Sequence, residues 1–203
     1  MSGRTLTPGE INLAQRIFKD SIDYGKVKIH NKKYLPFQPD ESGMTPNGEI
    51  YISGSRTYEN DYSLVKVGLK SFFIHEMAHV WQYQLKVLSP VAAAIKESFL
   101  NFFDYDKAYE YELMADKDLL SYRIEQQAQI IEDFYLWHKE AAPPTRNRVK
   151  NSGPPSSYLP LYPQVLANFL ANPAYARHIT VCNRDTYGPP GTRGITCTRQ
   201  LVP

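Results

Sequence analysis

His75-Glu76-Met77-Ala78-His79 lies in a stretch, from about Leu64 to Leu88, where only Gly68 weakens a helix. Ser89-Pro90 ends it, because proline disfavours helical geometry in the residue before it. Residues four apart stand one turn above each other on a helix. Both imidazoles can therefore face one ion at about 2.0 to 2.1 Å, with the Glu76 carboxylate beside it. A carboxylate so placed can take a proton from water acidified by a metal and pass it to a leaving amine. Five histidines and 11 glutamates among 203 residues yield this H-E-x-x-H pentapeptide by chance in about 0.7% of shuffled sequences. The pattern demands a central helix buried enough to shelter a charged centre.

A catalytic zinc takes three protein ligands and keeps one position open. The compact H-E-x-x-H-x-x-G-x-x-H pattern is excluded, since Gln82 and Leu85 stand where its glycine and last histidine would. A later carboxylate is the alternative. A helical pattern from about Lys107 to Lys139 puts Leu113, Leu120, Ile124, Ala128, Ile131 and Tyr135 on one stripe. At about 100° per residue from Ile124, Glu125 and Glu132 fall at its rim and Asp118 slightly beyond. Spacing leaves all three open. Glu125 has the best local setting, because small Ala128 one turn on gives room for close approach.

Upstream, Thr7-Pro8-Gly9-Glu10 reads as a capping box opening a helix that ends near Asp20. Val27 to His30 alternates as a short strand, residues 31 to 48 read as loop, and Glu49 to Ser53 alternates as a half-exposed edge strand. An extended substrate can be held by main-chain hydrogen bonds to such an edge, which makes Glu49, Ile50 and Tyr51 candidate binding residues. A tyrosine or histidine is expected to stabilise the developing oxyanion. With 15 tyrosines, composition cannot choose one; His178 is a further candidate, while His30 and His138 read as structural.

The apolar segment Val91 to Phe103 fits either a helix or an exposed insertion that meets a partner. Residues 141 to 160 form a proline-rich excursion before a last helix near Tyr162 to Leu170. In the tail, about 171 to 203, the Gly188-Pro189-Pro190-Gly191 turn can bring Cys182 and Cys197 together, as a disulfide or as two thiols. There is no internal repeat. At 203 residues and 42% hydrophobic the chain is expected to form one domain burying roughly 70% of its unfolded surface. It needs no metal merely to fold. A net charge of +2, with no basic run longer than Lys32-Lys33, excludes a nucleic-acid partner. The amino terminus lacks the apolar core of a signal peptide, and no apolar run approaches the roughly 20 residues of a membrane span, so a soluble protein made in the cytoplasm is expected.

Thr5 to Glu10, Tyr24 to His30, Thr45 to Tyr51, His75 to Gln82 and Ile124 to Ala128 together, in this order, resemble one family. It is the zinc metallopeptidase effector domain found at the carboxy terminus of some VgrG-type spike proteins of type VI secretion systems. The resemblance spans roughly residues 5 to 135. It implies an α+β zincin-like fold with a small twisted sheet, a central H-E-x-x-H helix and a second, glutamate-bearing helix. It further implies Zn2+ held by His75, His79 and Glu125, with Glu76 as general base. An antibacterial toxin is implied, acting on a peptide, protein or peptidoglycan in the target-cell periplasm, with a cognate immunity protein in the producer. Such domains often follow a large spike, so this one would travel as its cargo or be a fragment of one. The alternative is a zincin-fold toxin that grips a partner through the aromatic segment near Phe99 to Phe103 without hydrolysis.

Overall fold

In the computed structural model the described residues are 3–87, 105–144, 146, 148–178, 180–184 and 195–199. The chain begins with strand β1 (Arg4–Thr5) and helix α1 (Pro8–Phe18). The capping box is formed: Thr7 Oγ1 accepts from the Glu10 N–H at 3.1 Å, and Glu10 Oε2 accepts from the Thr7 N–H at 2.9 Å. Glu10 does more than cap. Fully buried, its carboxylate also accepts from Arg4 Nη1 and Nη2, at 2.8 and 2.7 Å, and from the Tyr62 N–H at 3.0 Å. It thereby ties β1 and α1 to the 3-10 turn Tyr62–Leu64 that leads into the central helix.

Strands β2 (Lys28–Asn31), β3 (Ser42–Met44) and β4 (Ile50–Ser53) complete a four-stranded mixed sheet ordered β1-β2-β4-β3. β2 and β4 run parallel with Ile29 opposite Ile50, while β3 lies antiparallel to β4 with Met44 opposite Tyr51. This corrects the edge-strand expectation for Glu49 to Ser53. β4 is paired on both sides and all four of its residues are buried. The edge on this side of the sheet is β3, within the stretch read as loop. The polar face of β4 that suggested exposure is covered: Tyr34 packs edge-on against Tyr51 at 4.8 Å, and buried Gln38 donates to the Tyr51 carbonyl at 3.2 Å.

The central helix α2 spans Val67–Gln84 and is buried on most sides by Phe73, Ile74, Met77, Ala78, Val80 and Trp81. It ends before the proline: the Val87 N–H bonds back to the Gln82 carbonyl at 2.9 Å, and Lys86 takes φ 55°. The expected helix from Lys107 to Lys139 is two helices, α3 (Tyr105–Tyr109) and α4 (Ile124–Lys139). Local propensity gives no reason for the break. Tertiary pairing does, because Tyr111 exchanges main-chain bonds with Arg148 and Lys150, and the Asn151 amide holds both main-chain groups of Leu113. Asp118 then caps the 3-10 turn Leu119–Ser121. α4 packs along α2, burying Ala128, Ile131 and Tyr135 as the stripe requires.

The proline-rich segment itself contains a short helix, α5 (Pro155–Tyr158), and the single helix expected near Tyr162 to Leu170 is two short ones, α6 (Leu161–Val165) and α7 (Ala167–Ala171). Strands β5 (Thr180–Arg184) and β6 (Ile195–Arg199) pair antiparallel with Cys182 opposite Cys197. The turn between them, the side chains of both cysteines and the segment Val91 to Phe103 lie outside the described residues. Among the described residues no helix is long and apolar enough to cross a membrane.

Replacing Glu10 with alanine removes the carboxylate partner of Arg4 and the acceptor of the Tyr62 N–H and is expected to cost about 3 to 5 kcal/mol in urea unfolding. A loss under about 1 kcal/mol contradicts its placing role.

Candidate metal centre

α2 stacks His75 and His79 so that their Nε2 atoms are 3.2 Å apart, with the ring planes at 77°. Glu125, in the first turn of α4, brings Oε2 to 3.5 Å from His75 Nε2 and 3.3 Å from His79 Nε2. The free N–H groups of a helix N-terminus favour a carboxylate there. A tetrahedral ion with bonds of about 2.0 to 2.1 Å separates its ligands by roughly 3.3 to 3.4 Å. The three observed separations match one face of such a tetrahedron, and Glu125 Oε2 is buried with no hydrogen-bond partner. The donor set therefore fits a divalent cation, and among the described residues these are the only three His, Cys, Asp or Glu side chains grouped closely enough that they could hold one.

The ring nitrogens on the far side are also engaged. His75 Nδ1 lies 3.1 Å from Glu132 Oε2, and His79 Nδ1 lies 2.8 Å from Gln82 Oε1. Of the three carboxylates that spacing left open, Glu125 reaches the Nε2 side, Glu132 the Nδ1 side, and Asp118 neither. Asp118 accepts from the Leu120 N–H and the Tyr175 hydroxyl. Glu76, 4% exposed, accepts from Thr45 Oγ1 at 2.6 Å. Beside it β3 carries glycine: a Cβ on Gly43 would stand 2.3 Å from Glu76 Oε1 and 2.8 Å from the Phe72 ring, so a larger residue there would displace the Glu76 carboxylate.

Burial pulls the His75 imidazolium down, but Glu125 and Glu132 outweigh it and its pKa stands well above the ordinary value. His79 is raised too, burial being offset chiefly by Glu125. Burial pushes the Glu125 carboxyl up, yet the two imidazoles hold it below the usual carboxylate range. The cluster is built for a positive charge at its centre. About two turns along α4 from Glu125, burial and then the charge of Glu132 push Asp133 up to about 7, against hydrogen bonds from Tyr111 and Gln129.

A cleft of about 910 Å³ opens over these residues. Its lining includes β3, Tyr34, Phe37 and Phe72, together with Tyr109, Arg146 and Arg148. The Tyr109 ring lies 5.7 Å from that of His75 and under the Arg148 guanidinium at 5.5 Å. Glu49, Ile50 and Tyr51 do not line this cleft: Glu49 Oε2 meets His30 Nε2 at 2.7 Å, Ile50 is core, and Tyr51 stacks on His30. The backbone of His178 ends the 3-10 helix Pro173–His178, and its side chain is outside the described residues. Sequence reasoning missed Gly43, Thr45 and Tyr109, which carry no spacing signal. It also missed Gln82, whose place three residues after His79 on the same helix face was readable.

The raised Asp133 carboxyl contributes stability that is fully present below its unfolded pKa of 3.8 and is lost as the pH rises through about 7. Urea unfolding at about pH 5 and pH 8 is expected to show a smaller loss on going to the higher pH in Asp133→Asn than in the native chain. Equal losses contradict this.

No family model matches the chain. Over 139 residues it is 39% identical to the type VI secretion system spike protein VgrG2b of Pseudomonas aeruginosa, a match covering 68% of this chain and 13% of that protein. The chain thus aligns to about 13% of that relative's length. The solved structure of the effector domain of Pseudomonas aeruginosa VgrG2b superposes with a TM-score of 0.58 at 38% identity, covering 73% of this chain and 84% of that one. With the His-His-Glu cluster on its two helices and this likeness over most of the solved domain, the chain belongs to the family of the VgrG2b effector domain.

Proposed function

We propose that the chain is a zinc-dependent peptidase, or a related amide-bond hydrolase, delivered as a type VI secretion effector. The observation that carries the reading is the triangle of His75 Nε2, His79 Nε2 and Glu125 Oε2, with the Glu76 carboxylate on the adjoining residue of the same helix. Two imidazoles and one carboxylate at tetrahedral spacing suit Zn2+. Held there, the cation supplies Lewis acidity that lowers the pKa of water to about 7 and polarises a scissile carbonyl.

The protein's own part follows from what faces the cleft. Glu76, oriented by the Thr45 hydroxyl, takes the proton of the attacking water and returns it to the leaving amine. The edge strand β3 lies beside Glu76 and offers a place for an extended substrate, the role that sequence alone gave to β4. Of the tyrosines, Tyr34 and Tyr109 line the cleft, and Tyr109 is the one packed against a metal-site imidazole; it is assigned as the donor to the developing oxyanion. The substrate is a peptide, protein or peptidoglycan stem in the target-cell periplasm, and a cognate immunity protein guards the producer. The spike origin of the relative supports this delivery.

Glu76→Gln is expected to retain stoichiometric zinc and the native melting temperature while hydrolysis of an unfolded-protein and peptidoglycan panel falls about 10²- to 10⁴-fold. Toxicity on periplasmic expression should vanish with it. Undiminished toxicity in this variant favours the gripping alternative. Tyr109→Phe is expected to lower kcat about 10²-fold with little change in KM; an unchanged kcat removes Tyr109 from the mechanism.

A further inference from the structure

The two imidazoles could each bind an ion through either nitrogen, and something must choose. Gln82 is fully buried, and its amide nitrogen donates both hydrogens, to the Ile124 carbonyl at 3.0 Å and to Gln127 Oε1 at 3.1 Å. Turning the amide over would set its oxygen against two acceptors, so the orientation is determined by its neighbours. Gln82 Oε1, an acceptor only, therefore faces His79 Nδ1, and the imidazole must carry its hydrogen there. Glu132 does the same for His75: its oxygens lie 3.0 Å from Ser71 Oγ, 3.1 Å from the donating Gln129 Nε2 and 3.1 Å from His75 Nδ1. Ionised, it too only accepts.

We propose that Glu132 and Gln82 are positioning residues that hold the Nδ1 hydrogens of His75 and His79, so that both Nε2 lone pairs and Glu125 Oε2 face one common point and select one cation geometry. This rests on the reading of the cluster as a metal site and adds which side chains set its tautomers. The two are unequal by construction. Glu132 adds a negative charge behind His75, strengthening that imidazole as a donor. Gln82 adds none behind His79, but its bond to the Ile124 carbonyl joins α2 to the very turn of α4 that carries Glu125.

The test is zinc affinity, measured by competition with a chelator of known strength, for the native chain, Glu132→Ala, Glu132→Gln and Gln82→Leu. Cobalt absorption spectra and melting of the metal-free proteins accompany it. Loss of either acceptor is expected to weaken zinc about 10- to 100-fold and to shift the cobalt bands. Glu132→Gln, which keeps an acceptor, should lose less than Glu132→Ala. Because Gln82 also bridges two helices and its variant can fail to fold, the Glu132 pair decides: their metal-free melting temperatures should stay near native while affinity falls. Zinc affinity within twofold of native in folded Glu132→Ala overturns the proposal while leaving the metal site standing. A native chain that binds no zinc overturns both.

Discussion

The docking of the amino-terminal turn of α4 against α2 is the contact on which the rest depends. It inserts a carboxylate beside two imidazoles in a place where solvent does not reach the Glu125 Oε2 atom. A buried carboxylate without a hydrogen-bond partner is costly. Here the cost is offset by two rings whose pKa values are raised in response, and by the helix terminus behind it. Three like-facing donors gathered at 3.2 to 3.5 Å make a poor core and a good ligand set. A cation held there by the folded state alone would offset this local destabilisation by mass action.

The sheet serves the same centre from the other side. β4, paired on both flanks, carries β3 as a short edge, and Gly43 lets that edge come against Glu76 without a side chain between them. Glu76 is thereby held between the His-His-Glu cluster and the edge strand β3. Glu10 acts at a distance: by tying β1, α1 and the turn before α2 into one knot, it sets where the central helix starts.

What the sequence made legible follows from which forces act locally. The capping box at Thr7 and Glu10 and the helical register of His75 and His79 are properties of neighbouring residues, and both stand as read. Choosing Glu125 over Glu132 was a matter of rotation about α4. Seven residues apart, they share a face, and only the contact with α2 shows that one meets Nε2 and the other Nδ1. The edge strand was hidden because Ser42-Gly43-Met44 is too short, and its glycine too weakly strand-forming, to carry a pattern. The break before Ile124 was hidden because the pairing that causes it joins Tyr111 to Arg148 and Lys150, far along the chain. Non-local hydrogen bonds overrode a sequence that by propensity alone would have continued as helix.

X-ray absorption at the metal edge of the zinc-loaded chain addresses the central claim most directly, because it reports the atoms around the ion without reference to activity. The account predicts a four-coordinate shell of nitrogen and oxygen only: two imidazoles at about 2.0 to 2.1 Å and oxygen at about 2.0 to 2.2 Å, with one imidazole lost in His79→Ala. A sulfur scatterer at about 2.3 Å, or a shell without histidine, would contradict it.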